Sequence, residues 1–198
     1  MKSTNAFATR GLVILVLVVA LMGCSTQNPT MPALESKGLV VQSNTGPVTL
    51  IKFDRSLFST EALSKSNGIA DFTETFIQAS VGGEIVVGDT NVGFSKVVFE
   101  ANDLPSDLTI SMTYPVDEYC DGIFAPHVAQ FNSPVYVELS YKNTDLTGIN
   151  EDDLKIYYYN GTTDLWEAVG GTVDKDRKVV TGYLEHFSRY AIVKTISM

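Results

Sequence analysis

Val135-Tyr136-Val137-Glu138-Leu139-Ser140-Tyr141 is the stretch that decides the fold class. Side chains alternate faces along a strand, so Val135, Val137, Leu139 and Tyr141 share one face and Tyr136, Glu138 and Ser140 the other. One apolar face and one polar face predict a half-buried antiparallel strand. Toward the C-terminus the same texture continues in residues 154–159, a loop opening with Asn160-Gly161, residues 165–169, a turn at Gly170-Gly171 and Thr172-Val173. A second turn over 174–178 leads to residues 179–183, and 190–194 close the series, which reads as a meander. Toward the N-terminus, short β-prone pieces at 84–87, 92–94, 97–99 and 109–114 alternate with Gly82-Gly83, the turn at 88–91 and a loop carrying Pro105. Seven or more short strands, with 15 Gly and no long helical period, predict an all-β fold, an antiparallel β-sandwich.

The first residues are of another kind. Lys2 and Arg10 are followed by an apolar run over 12–22, which is 11 residues long. A bilayer-spanning helix needs ~20, so the run reads as the hydrophobic part of a secretory signal. It ends in Leu21-Met22-Gly23-Cys24, which resembles the lipobox of bacterial lipoproteins. That resemblance implies cleavage after residue 23 and a Cys24 carrying diacylglycerol and an acyl chain. At ~0.8 kcal/mol per buried methylene one chain anchors marginally and two or more anchor stably. Ser25 stands where inner-membrane retention calls for Asp, so the expected location is the cell envelope, at the outer membrane where the cell has one. Residues 24–37, with Pro29 and Pro32, read as a lipidated flexible tether. Residues 38–66 are a lead-in with β-prone pieces and a turn or two of helix within 56–66, its membership of the main domain left open. Residues 67–198 carry the sandwich.

The formal net charge is −9, and losing Lys2 and Arg10 with residues 1–23 leaves 12 − 23 = −11. An acidic body argues against nucleic acid and against an electrostatic hold on anionic lipid. With Cys24 lipidated, Cys120 is left without an internal disulfide partner. Its neighbours Asp117, Glu118 and Asp121 raise a thiol pKa, which argues against a reactive nucleophile.

Gly82-Gly83-Glu84-Ile85, the segment 97–105 and Phe131-Asn132-Ser133-Pro134-Val135 resemble the ZU5-type β-sandwich. The run from Ile156-Tyr157-Tyr158-Tyr159 to Trp166, followed by His186-Phe187-Ser188-Arg189-Tyr190-Ala191, is similar to the closing segment of bacterial secreted ZU5-like modules. The resemblance covers roughly residues 78–194. It implies a binding or structural module of an extracytoplasmic protein and no enzyme activity on a separate substrate.

Three sets of residues compete for a chemical role. His186-Phe187-Ser188 matches the tripeptide at which some ZU5-containing proteins cut their own chain before the Ser. There the Ser188 hydroxyl would attack the Phe187 carbonyl with His186 as base. Residues i and i+2 of an extended strand are ~6.5 Å apart, so the pair meets only across a bend. The favoured alternative is that Phe187 fills the core while His186 and Ser188 make ordinary hydrogen bonds. The second set is acidic: Asp117, Glu118 and Asp121; Glu151, Asp152 and Asp153; Asp174 and Asp176. Oxygen-rich loops suit Ca²⁺, but the 174–178 turn lacks the Gly and downstream Glu of a Ca²⁺ loop, so solvated turns are expected and no metal. Nor does His127 have a companion at zinc spacing. The third set is aromatic. Tyr157, Tyr159 and Trp166 are candidates to stack on a sugar ring or grip an envelope protein, with cross-strand packing as the alternative. No cofactor beyond the lipid on Cys24 is implied.

Overall fold

The stretch 135–141 lies at the heart of the fold, and it is more deeply buried than its alternation predicts. In the computed structural model, which describes residues 38–64, 69–127 and 130–195, strand β8 (Val135–Ser140) is the middle strand of a five-stranded sheet. The order is β11 (Thr172–Asp174), β12 (Val179–Leu184), β8, β5 (Gly93–Phe99) and β4 (Gly83–Asp89). Val135, Val137 and Leu139 enter the core as expected, but Glu138 and Ser140 are buried too. A strand paired on both edges has neighbours over its polar face. Arg177 Nη1 donates to both carboxylate oxygens of Glu138, and Tyr136 Oη donates to Oε1. The Ser140 hydroxyl donates to the Val92 carbonyl. The expectation of a half-buried strand is thus corrected: every polar group on that face is hydrogen-bonded, which is the condition for burying it.

A second sheet of eight strands packs against the first. Its order is β2 (Gly46–Leu50), β1 (Val40–Ser43), β10 (Leu165–Gly170), β9 (Leu154–Asn160), β13 (Arg189–Thr195), β7 (Asp121–Ala125), β6 (Leu108–Thr113) and β3 (Phe72–Ile77). Between the sheets, Ile85, Val97, Phe99, Val137 and Val180 meet Ile110, Met112, Phe124, Ile156 and Ile192 in one apolar cluster. The fold is an all-β sandwich with antiparallel pairings throughout, apart from one parallel contact between β1 and β10.

Within the 38–66 lead-in, the described residues 38–64 are integral to this architecture. The β1–β2 hairpin pairs through β1 with β10 and through β2 with β13, where Leu50 stands opposite Val193 and Val48 opposite Thr195. Since β10, β9 and β13 are already neighbours, the five strands close a circuit. Its interior is a second apolar cluster of Val48, Leu50, Tyr157, Trp166, Ala191 and Val193. Strands β9 and β13 therefore serve two cores, with Ile156 and Ile192 facing the sandwich and Tyr157, Ala191 and Val193 facing the small barrel. Within the 56–66 piece, Ser59 caps α1 (Thr60–Leu63) by accepting the Ala62 N–H on its hydroxyl.

The last third is not a meander. Gly170-Gly171 carries the chain from one sheet to the other, and residues 185–188 carry it back. Both glycines have positive φ, and a Cβ on Gly171 would lie 2.6 Å from the Thr181 carbonyl oxygen, so only glycine makes that crossing without strain. The pieces at 92–94 and 97–99 form one strand, β5. The lipobox, Cys24, residues 1–23 and the tether lie outside the described residues.

Candidate functional site

The connection from β12 to β13 holds His186, Phe187 and Ser188. Phe187 is its anchor: the ring packs edge-to-face on Phe131 at 4.8 Å between centroids and tilts against Phe99 at 6.1 Å. Those contacts fix the backbone, and the groups on either side take their direction from it. His186 Nδ1 lies 3.3 Å from the Phe187 carbonyl oxygen. His127, delivered by the segment after β7, places its own Nδ1 3.3 Å from the same oxygen. The Tyr190 hydroxyl donates to the His186 carbonyl at 2.6 Å.

Ser188 turns elsewhere. Its hydroxyl donates to the Tyr159 carbonyl at 3.1 Å, and its own carbonyl accepts the Phe124 N–H at 3.0 Å. The structure brings two imidazoles to one carbonyl oxygen without joining the Ser188 hydroxyl to either as its base; the hydroxyl within reach of His186 Nδ1 is that of Tyr190, at 3.4 Å. An imidazole N–H on the Phe187 oxygen would polarise that carbonyl, but the Ser188 proton points to β9. Phe187 fills the core, and His186 and Ser188 are held by ordinary hydrogen bonds.

Beside His186 the two sheets part around a cavity of about 190 Å³. Tyr158 from β9, Tyr190 from β13 and Tyr183 from β12 line it with His186, Glu185 and Val169. The His186 ring stands edge-to-face on Tyr158, with centroids 4.9 Å apart. Tyr158 Oη donates to Glu167 Oε2 at 2.5 Å, and Asn160 Nδ2 donates to Oε1 of the same carboxylate at 2.7 Å. The Tyr158 phenol pKa is raised, first by Glu167 and then by burial. Tyr190 is pushed up by burial. Sequence reasoning missed this cavity, because its residues come from four separate segments that meet only where the chain crosses between sheets.

The aromatic candidates do not form an exposed platform. Trp166 is 6% exposed and Tyr157 is buried beside it, both inside the small barrel that the β1–β2 hairpin closes. The Tyr157 hydroxyl shares a hydrogen bond with Thr45 Oγ1. Tyr159 is half-buried against Trp166, and its hydroxyl donates to Asp164. Cross-strand packing is what these residues do.

Several of the acidic side chains pair with cations. Glu118 meets Lys52, Asp152 meets Lys175, Glu151 meets Lys178, and Asp174 meets Arg177. Among the described residues no group of three or more His, Cys, Asp or Glu is placed to hold a metal. Asp121 departs from the solvated-turn expectation: it sits in β7, fully buried, with Oδ2 accepting from Arg189 Nε at 2.7 Å. Its Oδ1 makes no hydrogen bond among the described residues. Burial pushes this carboxyl up, and Arg189 opposes the shift. Burial likewise pushes the Cys120 thiol well up, which keeps it protonated and unreactive.

No protein-family model matches the chain. A stretch of 36 residues, 18% of the chain, is 53% identical to an amylopullulanase from Thermoanaerobacterium thermosulfurigenes. The match spans 2% of that protein's length.

Proposed function

We propose that this chain is a lipid-anchored extracytoplasmic module that binds or supports another envelope component, a protein or a glycan, and performs no catalysis. The observation that supports the non-catalytic half is the commitment of the Ser188 hydroxyl to the Tyr159 carbonyl, which leaves Ser188 without His186 as its base. The anchoring half rests on Leu21-Met22-Gly23-Cys24 following a short apolar run, and the ZU5-like resemblance of residues 78–194 supports the module reading. The bilayer is then the one partner of known chemistry, reached through acyl chains on Cys24, and the net charge of −9 gives nucleic acid no purchase.

Fractionation of the host envelope tests the anchor. Wild-type chain stays with membranes through a high-pH wash, and Cys24→Ser moves to the soluble extracytoplasmic fraction while keeping its β-rich circular dichroism. A Cys24→Ser chain still held by the membrane contradicts the reading.

One further reading has an observation of its own. Self-cleavage between Phe187 and Ser188 is favoured by the two imidazole nitrogens, His127 and His186, each 3.3 Å from the carbonyl oxygen that would be attacked. It requires Ser188 to leave Tyr159 and turn its hydroxyl onto the Phe187 carbonyl carbon, forming an ester as the Phe187–Ser188 C–N bond breaks and the Ser188 amine takes a proton; water then opens the ester, and the Ser188→Ala chain remains whole where the wild type does not.

A further inference from the structure

We infer that the open edge of β3 is a docking site for an extended strand of a partner protein, one that carries apolar, basic and apolar side chains at alternate positions on one face. The inference rests on the reading of the chain as a binding module, and gives that module its surface and its partner's chemistry.

The topology leaves this edge open. Strand β3 ends the eight-stranded sheet, whereas at the other end β2 turns back onto β13. In the five-stranded sheet β11 is three residues long, and β4 has its Gly88 N–H held by Asp71 Oδ2. The ladder between β3 and β6 fixes which backbone groups face outward. The Tyr114 N–H donates to the Asp71 carbonyl, in the register that sets Phe72 opposite Thr113. Opposed residues of an antiparallel pair alternate between exchanging hydrogen bonds and turning their backbone groups away. With Asp71 bonded across to Tyr114, Thr73, Thr75 and Ile77 are bonded to β6 as well. Phe72, Glu74 and Phe76 therefore aim their N–H and C=O groups at the open side, where they find no hydrogen-bond partner among the described residues.

The same three residues present their side chains on the outer face of the sheet, with exposed Phe72 and Phe76 on either side of exposed Glu74. Opposite them on β6 stand Thr113, Ser111 and Thr109, none of which balances the charge, and Glu74 has no ion-pair partner among the described residues. A strand added here sets its own residues opposite 72, 74 and 76, on that face and about 5 Å away. Two apolar side chains then cover the rings, and a Lys or Arg between them meets Glu74. In strand addition the main-chain bonds supply affinity and the alternate side chains select the partner. Charge decides the occupant. A second copy paired through Glu74 sets carboxylate against carboxylate between bodies of net charge −9, and edge charges are a common guard against such self-pairing. The tether is no substitute, since Lys37 is the only basic residue of 24–37 and Glu35 stands two positions before it. A basic strand from another protein meets neither obstacle.

The test titrates two capped peptides, acetyl-TVTKTVT-amide and acetyl-TVTETVT-amide, into the full chain in detergent, isotope-labelled at its backbone amides and followed by NMR. The Lys-centred peptide should give saturable shifts at the Phe72, Glu74 and Phe76 amides and slow their exchange with solvent. Thr73 and Thr75, already bonded to β6, should change little. The Glu-centred peptide should bind more weakly, by roughly threefold or more. Glu74→Lys, at an exposed position whose backbone lies outside the ladder, should reverse that order and keep the β-rich circular dichroism. Equal binding of the two peptides, or an order that Glu74→Lys leaves unchanged, overturns the inference. Shifts at the three outward amides that grow with protein concentration alone assign the edge to a second copy and overturn it too. Peptide shifts confined to another strand edge overturn this site while keeping a binding module. No saturable shift with either peptide overturns the site as well, and leaves the anchor to be judged by the fractionation of Cys24→Ser.

Discussion

At Asp121 the expense of burying a charge decides how β7 and β13 are held together. Its carboxylate is 0% exposed, one oxygen faces Arg189 and the other makes no hydrogen bond among the described residues. Removing one partner of a buried pair leaves the other uncompensated, so Arg189→Met should cost on the order of 3 kcal/mol at pH 7 in urea unfolding. Burial raises the Asp121 pKa and Arg189 lowers it, so without Arg189 the carboxyl protonates more readily. The loss should therefore shrink at pH 4, and an equal loss at both pH values contradicts the reading. Glu151 carries the opposite sign. Lys178 at 2.8 Å, followed by the Tyr141 hydroxyl at 2.6 Å, holds its pKa below the usual range. Such a group contributes stability that is present above the unfolded value of about 4.3 and lost as pH falls through the folded value. Glu151→Gln should flatten the fall of Tm with acid over this window, which a series of thermal melts measures. At this scale His186-Phe187-Ser188 was legible as a site but not as a geometry, since tripeptide spacing says nothing about the Tyr159 carbonyl from another strand.

Among the elements, the β1–β2 hairpin is the one whose role follows from closure. By itself it is a four-residue and a five-residue strand, too short to persist alone. Paired with β10 and β13 it covers Tyr157 and Trp166 and completes a second core. Trp166 is the single tryptophan of the chain, so its fluorescence reports this element directly. Native emission should be blue-shifted and poorly quenched by acrylamide. Leu50→Ala should cost about 2–5 kcal/mol and raise quenching; a wild type already quenched like free tryptophan would mean the hairpin does not cover Trp166. Most other strands were readable from alternation and turn residues. Two were not. In β3 the aromatics Phe72 and Phe76 occupy solvent positions, 61% and 63% exposed, so the polarity of the alternation is inverted. In β7 the sequence Asp121-Gly122-Ile123-Phe124-Ala125 opens with residues that read as a turn, because the Arg189 partner that makes Asp121 tolerable comes from β13.

For the whole molecule, the all-β sandwich was legible because alternation and turn chemistry are local, whereas the sheet-to-sheet crossings at Gly170-Gly171 and 185–188 depend on pairings distant in sequence. The same crossings bring Phe187 into the core and place His127, His186 and Tyr190 around one short connection. We propose that this connection is a hydrogen-bonded support in an anchored, uncleaved module. The intact mass of denatured protein isolated from its own membrane tests it most directly. The result expected is a single species beginning at Cys24, heavier than residues 24–198 by a diacylglycerol and an acyl chain and still carrying the 11 residues 188–198. A species ending at Phe187, with a separate peptide beginning at Ser188, would contradict the non-catalytic reading, and an unmodified Cys24 would contradict the anchor.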